Sequence, residues 1–91
     1  MQITTVLPPD MPPADRDELV DAERRRGREL MDEGVIRAIW RVPGRMRNVG
    51  IWEAADATDL HDLITSLPAS PWFSAEVTPL AVHPLGRTHW A

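Results

Sequence analysis

The chain has 91 residues, ten basic and fourteen acidic side chains, a formal net charge of −4 and no cysteine. That length builds one modest core, expected here as a single domain over residues 1–91 that associates with copies of itself. The charge balance supplies no basic field for nucleic acid, and the missing cysteine excludes a disulfide framework, a thiolate metal site and a Cys nucleophile. No apolar run is long enough to span a membrane and no charged-then-apolar leader opens the sequence, so a cytoplasmic setting is expected.

In chain order, Gln2 to Val6 is short and β-branched and reads as a strand. The prolines at 8, 9, 12 and 13 break it, because proline fixes φ and restricts the residue before it. Pro13 suits a helix's first turn, and Asp15, Asp17 and Glu18 favour the positive end of its dipole. A helix is expected from Ala14 to Glu33, stopped by Gly34. Val35 to Val42 alternates as a strand, Pro43-Gly44 turns, and Asn48 to Ala54 returns to complete a hairpin. Asp56 is the expected N-cap of a second helix over 57–66, striped by Leu60, Leu63, Ile64 and Leu67. A last strand over 74–82 contains Pro79, which calls for an edge position or a bulge. The residues from His83 onward show no periodicity.

The order β-α-β-β-α-β is the ferredoxin-like arrangement, an α+β fold with a four-stranded antiparallel sheet and two helices on one face. Apolar residues occupy both parities of the strands, so a second subunit's sheet is expected to cover the other face as a dimeric α+β barrel.

The first helix carries the main chemical candidate. On a 100° wheel, Glu23 falls among Leu19, Val20, Leu30 and Met31, whereas Arg24, Arg25 and Arg28 fall on the solvated side. A carboxylate facing a core is desolvated, its pKa rises, and it becomes a usable base near neutrality. The competing reading is a flank glutamate paired with Arg26 and tipped toward water. Arg37 and Arg41 share one parity of the second strand and could clamp a carboxylate-bearing ligand or pair ions across an interface. Strict alternation sets them opposite Ile36, Ala38, Trp40 and Val42, away from Glu23, unless a bulge turns one back. His61, on the second helix's flank, is either a proton-transfer assistant or a solvated boundary residue. His83 and His89 are scattered from it, so no metal site is expected. Trp40 and Trp52 fill the core or wall a pocket.

Several segments together resemble the muconolactone Δ-isomerase family. They are Leu7-Pro8-Pro9-Asp10-Met11, Glu29-Leu30 with Glu33-Gly34, and Arg37-x-x-Trp40-Arg41-Val42. Leu60-His61-Asp62-Leu63, Leu67-Pro68, Glu76-Val77-Thr78-Pro79-Leu80 and His83-Pro84 continue the likeness in one register. The resemblance implies a small, cofactor-free, ferredoxin-like enzyme that forms dimers building a decamer. It implies a reaction that moves a carbon–carbon double bond in an unsaturated lactone with a carboxymethyl arm, on the aromatic-catabolic route to 3-oxoadipate. Glu23 matches a glutamate of the family's first helix and becomes the expected base, with Arg41 or Arg37 steadying the substrate carboxylate and the dienolate. His61 completes the expected catalytic set, and Arg37, Ala38, Trp40 and Trp52 are the expected substrate contacts. The chain departs from the family pattern at Ile36 and Ala38, where an aromatic and a histidine are usual, and it lacks tyrosines near Val49 and Trp72. Two further functions use the same fold. One is a cofactor-independent oxygenase or cyclase with a wider pocket, permitted by Ala38 and Val49. The other is a non-catalytic oligomeric binding protein, in which Trp40 and Trp52 close the pocket and Glu23 is salt-bridged at the surface.

Overall fold

In a computed structural model, which describes residues 1–86, the chain folds as β1 (Gln2–Thr5), α1 (Pro13–Asp32), β2 (Ile36–Arg41), β3 (Arg47–Trp52), α2 (Ala57–Thr65) and β4 (Phe73–Glu76). A short 3-10 turn at Ser70–Trp72 leads into β4. The four strands form one antiparallel sheet in the order β2-β3-β1-β4, the ferredoxin-like topology the element order predicts.

Local chemistry fixes the ends of these elements. Gly34 takes φ 79° just past α1, a conformation open to glycine at no Cβ cost. It lets the Val35 N–H reach the Leu30 carbonyl at 2.9 Å and its own N–H reach Met31 at 3.0 Å, closing the helix with a Schellman pair. Gly44 at φ 76° follows Pro43 in the hairpin turn, as a type II turn requires. At α2, the Asp56 carboxylate accepts from the Asp59 N–H at 2.8 Å, and Asp59 accepts from the Ala55 N–H at 2.9 Å. Two backbone donors are thus satisfied where the helix begins.

The core lies between the helices and one sheet face. Leu30, Ile36 and Leu67 are buried at its centre, with Val35, Trp52, Leu63 and Phe73 packed around them. The expected last strand is shorter than its sequence pattern suggests. β4 pairs with β1 as far as Glu76, opposite Gln2, and then leaves the sheet ahead of Pro79, which has no N–H to give. β4 is an edge strand of the sheet, and Pro79 lies beyond its paired residues.

The sheet departs from strict alternation at one place. Ile36 pairs with Trp52 and Ala38 with Ile51, so Arg37 is an extra residue in β2 with no counterpart on β3. Beyond this bulge the parity is inverted. Ile39 and Arg41, opposite Gly50 and Asn48, join Ile36 and Trp52 on the helix side. Ala38 and Trp40 turn to the outer face, and Trp40 is 50% exposed. The expectation that Ile36, Ala38 and Trp40 share the core face is therefore corrected, as is Trp40 as a core filler.

Leu30 has no exposed surface. Leu30→Ala is expected to cost about 2–5 kcal/mol, the transfer of the lost methylenes plus the cavity left behind. Urea unfolding followed by Trp fluorescence measures it.

Candidate active site

A cavity of about 490 Å³ opens between α1 and the helix side of the sheet. Its apolar wall includes Ile3, Leu19, Val20, Ile36, Ile39 and Phe73. Glu23 is the one carboxylate among its described lining residues. This side chain makes no ion pair among the described residues, because Arg26 pairs with Glu29 at 2.9 Å and donates to Ser66 Oγ at 3.1 Å. Instead Glu23 Oε2 accepts the backbone N–H of Ala69 at 2.8 Å. Ala69 is buried and sits just before the 3-10 turn, so the bond ties the middle of α1 to the segment entering β4.

Two influences oppose each other at Glu23. Burial disfavours the carboxylate and raises its pKa above the ordinary value of 4.5, while the Ala69 hydrogen bond pulls it back. Burial is the larger. One oxygen is occupied by Ala69 and the other has no protein partner among the described residues, which leaves it available to a bound molecule.

The cavity is cationic apart from Glu23. Arg16, Arg24 and Arg28 from α1 and Arg41 from β2 contribute to its lining. Among the described residues, none of the four has a carboxylate within 4.0 Å. Arg41 donates weakly to the Arg45 carbonyl at 3.4 Å, and Arg16 lies 3.8 Å from the Met46 sulfur. Met31, Ile39 and Met46, all partly exposed, complete the open side next to the edge strand β2.

Of the residues singled out in the sequence, Glu23, Arg41 and Trp52 line this cavity. Arg37, Ala38, Trp40 and His61 do not. Arg37 stands at the bulge and pairs with Glu53 at 2.7 Å, with both side chains more than half exposed. Ala38 and Trp40 lie on the outer face for the reason given above, and His61 is exposed on α2. Val49 also faces outward, opposite Trp40 and Gln2, so neither it nor Ala38 widens the cavity.

Sequence reasoning missed Arg24 and Arg28, which a helical wheel places on the solvated face. The available signal was their i, i+4 continuity with Arg16 and Val20 along the border of the apolar stripe. It also missed Asn48, which the bulge brings opposite Arg41.

Trp52 packs on the core, and its indole Nε1 is buried without a hydrogen-bond partner among the described residues. It lies over Gly50, where an added Cβ would come within 3.2 Å of the same nitrogen. A ferredoxin-like α+β domain with a desolvated carboxylate in an arginine-rimmed apolar cavity has the parts of an acid–base site for small anionic molecules.

The muconolactone delta-isomerase family profile matches residues 1–85. The muconolactone Delta-isomerase of Cupriavidus pinatubonensis is 37% identical over 78 residues, covering 86% of this chain and 85% of that protein. The enzyme of the same name from Rhodococcus opacus is 31% identical over 83 residues, covering 91% of this chain and 89% of its own length. A crystal structure of muconolactone isomerase superposes with a TM-score of 0.84 at 34% identity, covering 91% of this chain and 86% of that one. The chain belongs to the muconolactone delta-isomerase family.

An unpaired buried N–H costs about 1–3 kcal/mol. Trp52→Phe removes that donor while keeping an aromatic ring, so a net loss below about 1 kcal/mol is expected despite the smaller side chain. A loss above about 2 kcal/mol in urea unfolding would show that the indole nitrogen has a partner.

Proposed function

We propose that this chain isomerises muconolactone or a close analogue, with Glu23 moving one proton between two carbons of the lactone ring. The observation that carries this reading is the Glu23 carboxyl in the apolar cavity, tethered by one oxygen at 2.8 Å to Ala69 N–H and carrying a raised pKa.

The substrate's double bond lies next to the lactone carbonyl. The ring carbon that bears the carboxymethyl arm gives up its proton to the free oxygen of Glu23. The C–H electron pair moves into the ring and produces a dienolate, with its charge largely on the carbonyl oxygen. Glu23 then returns the proton to the carbon adjacent to the carbonyl, leaving the double bond one position further along. One hydrogen and one π bond have moved, and no electrons are gained or lost overall. A single carboxyl suffices because both carbons belong to one ring face within reach of one oxygen. Desolvation brings its proton affinity toward that of the carbon acid, and the Ala69 bond holds its orientation between the two transfers.

Arg41 is the residue assigned to the substrate's carboxylate arm, and its charge also favours the dienolate over the neutral lactone. Trp52 serves as an apolar wall. Arg37, Ala38, Trp40 and His61 have no direct part in this chemistry. The outer sheet face, with the half-exposed Trp40, is assigned to a second subunit's sheet in a dimer, from which a larger ring is built. A cytoplasmic setting fits a soluble catabolic enzyme, and no helix among the described residues is long and apolar enough to cross a membrane.

Glu23 is not salt-bridged at the surface and the cavity is open, which weighs against a binding protein that has lost its chemistry. The outward placement of Ala38 and Val49 removes the feature that favoured a wider cyclase pocket.

Glu23→Gln is expected to keep the fold and lower turnover by at least about 10²–10⁴-fold, the usual contribution of general base catalysis. Absorbance of the product and exchange of substrate hydrogen with D₂O both measure it, and exchange at the wild-type rate excludes Glu23 as the base. The active form is the carboxylate, so activity should rise with pH through a limb placed above the ordinary glutamate value of 4.5. The stability effect has the opposite sign. With its folded pKa raised, Glu23 favours folding fully only below its unfolded pKa, and that contribution is lost as pH rises through the folded pKa. Glu23→Gln should therefore melt no lower than wild type at neutral pH, with the difference closing on acidification.

The two strand arginines separate in the same assay. Arg41→Ala should raise KM and lower kcat/KM by about tenfold or more, on the scale of a lost charge-assisted hydrogen bond. Arg37→Ala removes an exposed ion pair worth about 0–1 kcal/mol and should stay within a few-fold of wild type.

A further inference from the structure

Proton transfer to Glu23 leaves negative charge on the lactone carbonyl oxygen, while Arg41 is engaged with the carboxylate arm. A neutral donor beside Arg41 would meet that charge directly, and Asn48 of β3 is placed for it. Asn48 lines the cavity, is partly buried, and pairs across the sheet with Arg41 on one side and Ile3 on the other. Directly opposite residues of an antiparallel pair hold their Cβ atoms about 4.5–5.5 Å apart on one face. The Asn48 carboxamide makes no hydrogen bond among the described residues, so its N–H donors stand uncommitted beside an apolar wall. Neighbouring polar groups are less well placed. Trp52 Nε1 lies over Gly50, 3.2 Å from where a Cβ would stand, and is buried. Thr5 also lines the cavity, but it pairs with Phe73 on β1, two strands away from β2.

Resting on the isomerase reading above, we propose that Asn48 is a further catalytic residue, its side-chain N–H donating to the lactone carbonyl oxygen as that oxygen gains the dienolate charge. The substrate's own geometry calls for such a neighbour to Arg41. In this lactone the carbonyl carbon and the carbon bearing the arm are both bonded to the ring oxygen. The carboxylate arm and the carbonyl oxygen therefore leave the ring side by side, and the Arg41–Asn48 cross-strand pair offers side-by-side donors for them. The amide keeps its proton throughout, while the ring proton passes to Glu23 and returns. A donor fixed in a partly dehydrated cavity acts most strongly where charge develops, so its effect falls on the transition state more than on bound substrate.

The test pairs kinetics with two inert probes, each carrying the carboxymethyl arm. One is the saturated γ-butyrolactone, with a neutral carbonyl; the other is the tetronate, a ring enolate whose charge is shared with the carbonyl oxygen. In Asn48→Ala, checked for fold by urea unfolding, kcat on muconolactone should fall about 10²–10³-fold with KM within about threefold. By calorimetric titration at one pH, this variant should lose about tenfold or more in tetronate affinity and at most about threefold in lactone affinity. Arg41→Ala should instead weaken both probes, because both carry the arm. Asn48→Asp, which keeps the shape but sets a carboxylate by the enolate oxygen, should bind tetronate no better than Asn48→Ala. An Asn48→Ala enzyme that holds its kcat, or loses affinity for both probes equally, would overturn the proposal. So would a Thr5→Val variant that alone shows the selective tetronate loss. The two readings fail separately. Tetronate binding that depends on Asn48 without muconolactone turnover removes the reaction and keeps this site, and turnover that is indifferent to Asn48 does the reverse.

Discussion

The cavity depends on how β2 accommodates one extra residue. Without Arg37, alternation from Ile36 would run through Arg41 in register with β3. With Arg37 inserted opposite nothing, the pairs Ile39–Gly50 and Arg41–Asn48 still form and the helix side keeps its residues. The bulge therefore reconciles a sequence whose strict parity sends Trp40 inward with a structure that sends Arg41 inward. It also frees the outer face to carry Trp40, Val49 and Ile51, an apolar surface suited to another sheet. By looping Arg37 out of the pairing, the bulge keeps Arg41 on the helix side and Trp40 on the outer face.

Glu23 is held by a balance between two modest effects. A carboxyl in an apolar wall with no hydrogen bond would prefer to stay protonated and could not start by accepting a proton. A carboxylate with several N–H donors would be too stable to do so. Among the described residues Glu23 has one donor, Ala69 N–H, on one oxygen, and burial outweighs it. The same bond also has a structural role, since it joins α1 to the segment just after Leu67, itself at the centre of the core. The proposed proton carrier is in this way positioned by the packing that stabilises the fold.

Much of this architecture is legible in the sequence because it follows from local rules. Gly34 ends α1, Pro43-Gly44 turns the hairpin and Asp56 caps α2, each through an interaction within a few residues. Glu23 stands out because its wheel position contradicts its charge. What local rules leave open is non-local: a bulge is one of two possibilities for β2, and only the pairing decides it. A bulge leaves no trace in β2's own alternation, since its existence depends on which residues β3 presents. The outward turn of Ala38 and Trp40, and with it the inward turn of Arg41, follows from pairing with Ile51 and Val49. Arg24 and Arg28 are exposed, as the wheel places them, yet they also reach the open side of the cavity. A wheel assigns faces by hydrophobicity, but a cavity beside an edge strand extends past the apolar stripe and takes in the helix flank. His61 matched a family segment by type and spacing, yet its place on the exposed side of α2 is set by Leu60, Leu63 and Ile64 facing inward.

The arginine rim has a cost that bears on its purpose. Four guanidiniums around one cavity, with one carboxyl among them, repel each other and add nothing to the apolar core. Exposure to water screens this repulsion but does not reverse it. The chain is not short of acidic residues for neutralising them, since Asp15, Asp17, Asp21 and Asp32 lie on the same helix. Arg26 is in fact paired this way with Glu29. The helix therefore pairs one arginine and leaves the cavity-lining ones without carboxylate partners among the described residues. On the proposed function, an anionic substrate entering the cavity would supply the missing charge and relieve the repulsion.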